Sequence, residues 1–417
     1  MNMLSFDEAL QRLLANVAAV AETDCVPTVM ARGRVLAESL RSAIDVPPLD
    51  NSSMDGYALR VADVPVVGTR LNIAQRIPAG SVGHTLAPGT AARIFTGAPV
   101  PPGADAIVMQ ELCIREGDAV IINHLPRPGE WLRRRGEDIA AGSEVLAAGT
   151  RLGPAQLGLA ASVGAAELTV FRRLRVALFS TGDELAMPGE ALKPGGIYNS
   201  NRFTLRALLE NLGCDVADLG IVPDNLAATR AALREAAQEN DLILTSGGVS
   251  VGEEDHVKPA VEAEGALDLW QIAIKPGKPL AFGHVRKVGA GTTANTAEYD
   301  MAAEYDTAVF IGLPGNPVSS FVTFVMLVRP VILRMQGAGV TAPRGISLRA
   351  NFDWRGDARR EFLRARMDAD GGASLFASQS SAVLTSCAWA DGLVDNPPQQ
   401  AIRRGDTVCF IPFSELL

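Results

Sequence analysis

The chain has few soft or imidazole ligands, and they follow no pattern. Its five cysteines, Cys25, Cys113, Cys214, Cys387 and Cys409, are scattered, odd in number and without a C-x-x-C pair. That argues against a disulfide framework or a thiolate zinc site and for a reducing compartment. The four histidines, His84, His124, His256 and His284, lack H-x-x-x-H spacing, so a metal would have to sit on carboxylates. Net charge is −9, and RRR at 133–135 and RRLR at 172–175 are short enough to be solvated faces or linker charges. The electrostatic footprint of a nucleic-acid binder is missing. No run reaches the ~18–20 uninterrupted apolar residues that cross a bilayer; even FVTFVMLV is bounded by Ser320 and Arg329. The start, MNMLSFDEALQRLL, carries acids and no basic region before an apolar core, so it reads as an amphipathic helix rather than a signal peptide. A soluble, cytoplasmic protein without membrane or nucleic-acid partners is expected.

What is present is a long, well-mixed chain. With 417 residues, 47% hydrophobic and 20% charged, it should fold around two to four cores. Leu10, Leu13, Leu14 and Val17 fall at helical spacing, and residues 1–45 read as helical up to the prolines at 47–48. Residues 46–146 are short β-prone pieces punctuated by Pro and Gly, a β-rich domain. Residues 147–173 hold a further helical pattern, GPAQLGLAASVG, which can pair with the N-terminal segment as a discontinuous domain. From 174 to 327 strand and helix alternate: RVALF, RFTLRALLENLG, DVADLGI, NLAATRAALREAAQEN, DLILT, DHVKPAVEAEG. This predicts an α/β domain with a mostly parallel sheet. Leu205, Leu208, Leu209 and Leu212 form an apolar stripe, with Gly213 placed for a left-handed cap. Residues 287–306 read as an exposed insertion, and 328–417 as a small β domain.

In the α/β domain three strand ends lead into loops of small and acidic residues, FSTGDEL, IVPDN and LTSGGVSVGEEDH. Ligands of open parallel sheets bind at such ends. Glu184, Asp224 and Asp255 would converge there and hold Mg²⁺ against a phosphate, although Asp224 alone is equally well placed to cap its helix. Gly247 and Gly248, followed by Ser250, present backbone amides to an anion or simply make a tight turn. In LPGNP, Asn316 is placed as the N-cap and Pro317 as the first helical residue, a second candidate anion site that capping alone also explains. KPGKP sets Lys275 and Lys278 on a stiff loop; a solvated turn is the ordinary reading, and beside the acids they look like an oxyanion clamp. The densest signal lies within Asp241–Lys278. With no G-x-x-x-x-G-K-[ST] and no G-x-S-x-G, phosphate-loop hydrolysis and acyl transfer are poorly supported.

DNSSMDGYA, RIFTGAPVPPGADAIVMQE, STGDEL, IYNSN, LTSGGVSVGEEDH, IAIKPGKPLAFG and GLPGNPVSSF, in this order, resemble the MoeA family, which includes the gephyrin E domain. The resemblance spans nearly the whole chain. It implies an elongated helical domain from 1–45 and 147–173, a β-rich domain at 46–146, a molybdopterin-binding α/β domain at 174–327 and a β-barrel-like domain at 328–417. It implies a homodimer in which Asp55 of MDGY and Thr96 of FTGA reach the partner's site. Glu184, Asp224 and Asp255 would bind Mg²⁺ and the pterin's phosphate region, and Lys275 and Lys278 would hold molybdate. REFLRAR points to Arg364 as an oxyanion contact, with Arg359 or Arg360 as alternatives, and SQSSAVLTS points to Ser381.

The implied activity is that of a molybdopterin molybdenumtransferase, which inserts molybdate into adenylylated molybdopterin with Mg²⁺-dependent release of AMP. Transient contacts with a molybdopterin adenylyltransferase and with molybdoenzyme chaperones would follow. Two other readings stay open. Adenylylation of molybdopterin by ATP is disfavoured by the 46–146 and 328–417 domains, and a non-catalytic scaffold is disfavoured by the intact acids and lysines.

Overall fold

The computed structural model describes residues 3–248, 256–287 and 306–417. Its centre is the α/β domain: β1 (Arg175–Thr181), α1 (Ser200–Asn211), β2 (Asp215–Val222), α2 (Leu226–Glu239), β3 (Leu242–Ser246), α3 (Val257–Glu264), β4 (Gly265–Gln271), β5 (Pro279–Arg286) and β6 (Thr307–Leu313). The sheet order is β2-β1-β3-β6-β5-β4. The first four strands are parallel, while β5 runs antiparallel to both β6 and β4.

Strands β1, β3 and β6 are apolar almost throughout because both faces are covered. The period of two still decides which residue goes where. Val176 and Leu178 join Leu242, Leu244 and Ile311 under α1, while Ala177 and Phe179 join Ile243 and Phe310 under α2 and α3. Each large side chain so buried contributes about 1.5–3 kcal/mol. In α1 the predicted stripe is in place: Leu205 and Leu209 are fully buried, and Gly213, at φ +77°, closes the helix in the left-handed region.

After β6 one continuous helical stretch runs Pro317–Met335. Its middle turn, Phe324–Val328, is π-helical, and Pro330 follows at once. A proline without an amide hydrogen cannot complete the regular ladder, which accounts for the widened turn. By length and composition this helix would suffice to cross a bilayer, but 89% of it is buried inside the protein, and core packing explains its apolarity.

Residues 1–45 are less helical than the spacing predicts. A helix covers Phe6–Ala15, capped by Ser5 and Glu8, and it packs into the α/β core rather than onto residues 147–173. Beyond it Thr23–Pro27 is a strand paired with Glu167–Phe171, and Leu40–Arg41 pairs with Glu144–Leu146. The apolar stripe ends at Val17, and β pairing with residues more than a hundred positions away takes over. Helix Pro154–Ser162 lies over a core of Leu36, Leu146, Leu152, Ala160 and Val170, drawn from both segments.

The β-rich domain holds a six-stranded sheet built from Gly56–Leu59, Thr69–Ile77, Thr90–Ile94, Ala106–Met109, Cys113–Glu116 and Ala119–Ile122, with cores on both faces. At the C-terminus Ile346–Ala350, Arg360–Met367, Gly372–Leu375, Gly392–Asn396 and Thr407–Pro412 close into a barrel, because Arg360–Met367 pairs with both Gly372–Leu375 and Gly392–Asn396. Closure leaves no free edge within the ring. The short strand Ile274–Lys275 lies parallel to the start of Arg360–Met367 and joins the barrel to the α/β domain.

Candidate active site

The carboxyl ends of β1, β2, β3 and β6 open into one cleft of about 1140 Å³. β1 delivers Thr181, Gly182 and Glu184; β2 delivers Asp224; β3 delivers Ser246, Gly247 and Gly248; β6 delivers Pro314, Gly315 and Asn316. The lysine loop reaches the same edge because β5 is reversed: its first residues lie where β6 ends, so Lys275 and Lys278 just before it line the cleft too. The far wall comes from the C-terminal domain through Arg359, Gln379, Ser380 and Ser381.

Local chemistry explains the glycines. Gly247 has φ +88°, and a Cβ there would lie 2.9 Å from the Thr181 carbonyl oxygen; no other residue passes so close to β1. Gly277, at φ +109°, turns the lysine loop where a Cβ would collide with the Thr323 hydroxyl. Capping does not account for Asp224, because Asn225 does that work: its Oδ1 accepts from the Ala228 amide at 2.8 Å. Asn316 stands at the N-cap position and Pro317 begins the helix, yet the Asn316 side chain makes no capping bond. The Val318 amide is already taken by the Ser381 carbonyl at 3.0 Å, so this helix start also docks the C-terminal domain.

The cations of the cleft differ in their surroundings. Lys275 Nζ lies 3.1 Å from Asp357 Oδ2 and 3.1 Å from Glu361 Oε1. Lys278 is exposed and has no ion-pair partner among the described residues. Arg359 donates from Nε to Asp357 Oδ1 at 3.2 Å. Asp357 is held well below the usual carboxylate range by the Arg359 side chain and amide, with Lys275 adding to them. Arg364 is not at the cleft surface. It is fully buried, donates to Ser386 Oγ and to the Phe362 and Ser380 carbonyls, and burial pushes its pKa down to about 10. Leu363 and Ala365 on either side of it face the barrel core, so Arg364 lies on the outer face of the strand, where the segment carrying Gln379, Ser380 and Ser386 covers it. Of the three candidate arginines the one lining the cleft is Arg359. Arg360 is bound to Asp395 and Asp7.

Glu184 and Asp224 both line the cleft; Asp255 and Ser250 lie outside the described residues. Among the described residues no three His, Cys, Asp or Glu side chains form a ready metal cage. Two carboxylates at one cleft still suit Mg²⁺, which completes its shell with water and substrate oxygens. Asp55 and Thr96 are joined to each other, Asp55 Oδ1 accepting from the Thr96 amide and hydroxyl at 2.8 Å each. Those bonds, with Arg93 nearby, lower the Asp55 pKa. Both residues belong to the β-rich domain and do not line the cleft of their own chain.

Sequence reasoning missed two side chains here. Asn199 is almost fully buried, and its Nδ2 has no partner among the described residues; the Thr181 hydroxyl has none either, and both line the cleft. Asn199 sits in IYNSN, one of the seven ordered motifs, so the signal was present but carried no charge.

Fold and cleft define a multidomain protein whose ligand site is built on a parallel α/β sheet and walled by a barrel. Family models match three consecutive regions: the MoeA N-terminal region (domains I and II) over residues 4–164, a probable molybdopterin binding domain over 177–334, and the MoeA C-terminal region (domain IV) over 347–413. The chain belongs to the MoeA family. It is 43% identical to a molybdopterin molybdenumtransferase of Haemophilus influenzae, covering 80% of this chain and 78% of that one. It is 38% identical to molybdopterin molybdenumtransferase 2 of Mycobacterium tuberculosis, covering 93% and 94%. A crystal structure of the molybdopterin biosynthesis MoeA protein of Pyrococcus horikoshii superposes with a TM-score of 0.82 at 27% identity, over 99% of this chain and 100% of that one.

Proposed function

We propose that this chain inserts molybdate into adenylylated molybdopterin and releases AMP, with Mg²⁺ bound at Glu184 and Asp224. That it is a transferase of molybdenum cofactor biosynthesis rests on family membership and on relatives named for that activity. The observation that carries the finer reading is the composition of the cleft: two carboxylates, a glycine turn, and the cations Lys275, Lys278 and Arg359 line one space.

The residues divide the work. Lys278 and Arg359 attract and hold the oxyanion, the Gly247–Gly248 backbone approaches a phosphate without side-chain interference, and Asn199 and Thr181 supply polar atoms from the floor. When bound, Mg²⁺ would neutralise charge on the phosphoanhydride. Catalysis then comes from positioning and charge neutralisation, with no covalent protein nucleophile. Asp55 and Thr96, remote from the cleft of their own chain, enter it from a second subunit in a cytoplasmic homodimer. Contact with an adenylyltransferase that supplies the nucleotide is the natural complement.

AMP release from adenylylated molybdopterin, with and without molybdate, tests this. Wild-type protein should release AMP only when molybdate and Mg²⁺ are present, and Lys278→Ala or Asp224→Asn should lower the rate by about 10²-fold or more. Release independent of molybdate, or near-normal turnover in both variants, would sink the reading.

A further inference from the structure

Lys275 is held by two carboxylates of the C-terminal domain, Asp357 and Glu361. Glu361 is fully buried on strand Arg360–Met367, where its Oε2 accepts from Trp354 Nε1 at 2.7 Å and from Asn396 Nδ2 at 3.3 Å. Asp357 is fixed by its own turn, Oδ1 accepting from the Arg359 amide at 3.0 Å. Neither carboxylate is free to follow the lysine; the lysine is fixed by them. Backbone pairing supports the same geometry, since Lys275 lies opposite Glu361 in a parallel register and the Arg360 amide bonds to the Ala273 carbonyl at 3.0 Å. The N-terminal segment braces the other side of the loop: the Leu4 amide donates to Gln271 and the Ala273 amide to Leu4.

An ammonium has three donors. One donates to Asp357 Oδ2 at 3.1 Å and the ion pair with Glu361 Oε1, also at 3.1 Å, orients the head, which leaves donor capacity for a ligand. Lys275, Arg359, Asp357 and Glu361 together carry no net charge, so the unbalanced cation of this wall is Lys278. We infer that Asp357 and Glu361 are positioning residues for the oxyanion site, fixing Lys275 and Arg359 as directed donors, while Lys278 supplies the attraction. This rests on the oxyanion reading of the cleft and adds the domain that sets its geometry.

Positioning and simple electrostatics predict opposite signs. Asp357→Asn makes the site one unit more positive, which by Coulomb attraction alone would tighten anion binding; loss of positioning would loosen it. The measurement is molybdate binding to the full-length protein by calorimetry and by tryptophan fluorescence, with Trp354→Phe used to assign the signal of the indole bonded to Glu361. Wild-type protein should bind molybdate with a change in Trp354 emission. Asp357→Asn should weaken binding by roughly tenfold, raise the KM for molybdate more than it lowers kcat, and keep the wild-type melting temperature, with Asp357→Glu recovering part of the loss. Glu361→Gln should act in the same direction; if it fails to fold, Asp357→Asn decides. Unchanged or tighter binding in Asp357→Asn overturns the inference, and a wild-type protein that does not bind molybdate overturns the reading of the cleft beneath it.

Discussion

Arg359 and Arg364 stand on one stretch of chain and have different fates. Arg359 precedes the barrel strand and is partly exposed at the cleft, while Arg364 lies within the strand and is buried beneath the segment carrying Ser380 and Ser386. A buried guanidinium that donates only to a hydroxyl and to carbonyls is part of the fold, since its removal leaves a cavity and unpaired acceptors. Arg364→Ala should therefore destabilise the protein by about 2–4 kcal/mol, read by denaturant unfolding. Arg359→Ala should leave stability within about 0.5 kcal/mol and weaken molybdate binding about tenfold. The reverse pattern would return the oxyanion contact to Arg364. Motif resemblance pointed to Arg364 with Arg359 and Arg360 as alternatives, and of the three only Arg359 lines the cleft. Which side of a strand faces the cleft depends on register with Gly392–Asn396, and one sequence does not show that register. The Lys275 carboxylates were hidden for a similar reason, since about eighty residues separate them from the lysine.

Among elements, most of the alternation of strand and helix from 175 onward was legible, because the central strands are buried on both faces and the helices carry apolar stripes; the strand Gly265–Gln271 was not. The N-terminal region was not, since Thr23–Pro27 and Leu40–Arg41 are too short to show a period and are strands only through distant partners. The joint between these regions has its own chemistry. Asp241, opening β3, accepts from Arg172 Nη1 and Nη2 at 2.7 and 2.8 Å and from the Arg175 amide at 2.9 Å. Burial alone would raise its pKa, but the Arg172 and Arg175 bonds outweigh it and the net shift is downward. A depressed carboxylate stabilises the fold above its unfolded pKa of about 3.9 and loses that contribution as pH falls through the lower folded value. Asp241→Asn should thus cost about 2 kcal/mol at neutral pH. The gap from wild type should shrink below about pH 4. Urea unfolding at pH 7 and at about pH 3 checks this, and a pH-independent difference would show that Asp241 acts by shape rather than charge.

For the whole molecule, the cleft is an assembly. The α/β sheet supplies acids, amides and lysines, the barrel supplies Arg359, Ser381 and the carboxylates behind Lys275, and the N-terminal segment braces the lysine loop. Asp55 and Thr96 are the exception, preorganised by mutual hydrogen bonds yet absent from the cleft of their own chain. If a second copy delivers them, damage to the β-rich domain and damage to the lysine loop fall in different sites of a hybrid dimer. Asp55→Asn and Lys278→Ala should each be nearly inactive alone. Mixed by unfolding and refolding together in equal amounts, about half the dimers are hybrids, and each hybrid has one site with both residues intact, so about a quarter of wild-type AMP release should return. No recovery, with hybrid dimers confirmed by mass spectrometry, would place Asp55 in the same site as Lys278 of its own chain, and an active Asp55→Asn would place Asp55 outside the reaction. Recovery near a quarter would locate the missing wall of the cleft on the partner subunit, which the internal bonding of Asp55 to Thr96 already prepares it to supply.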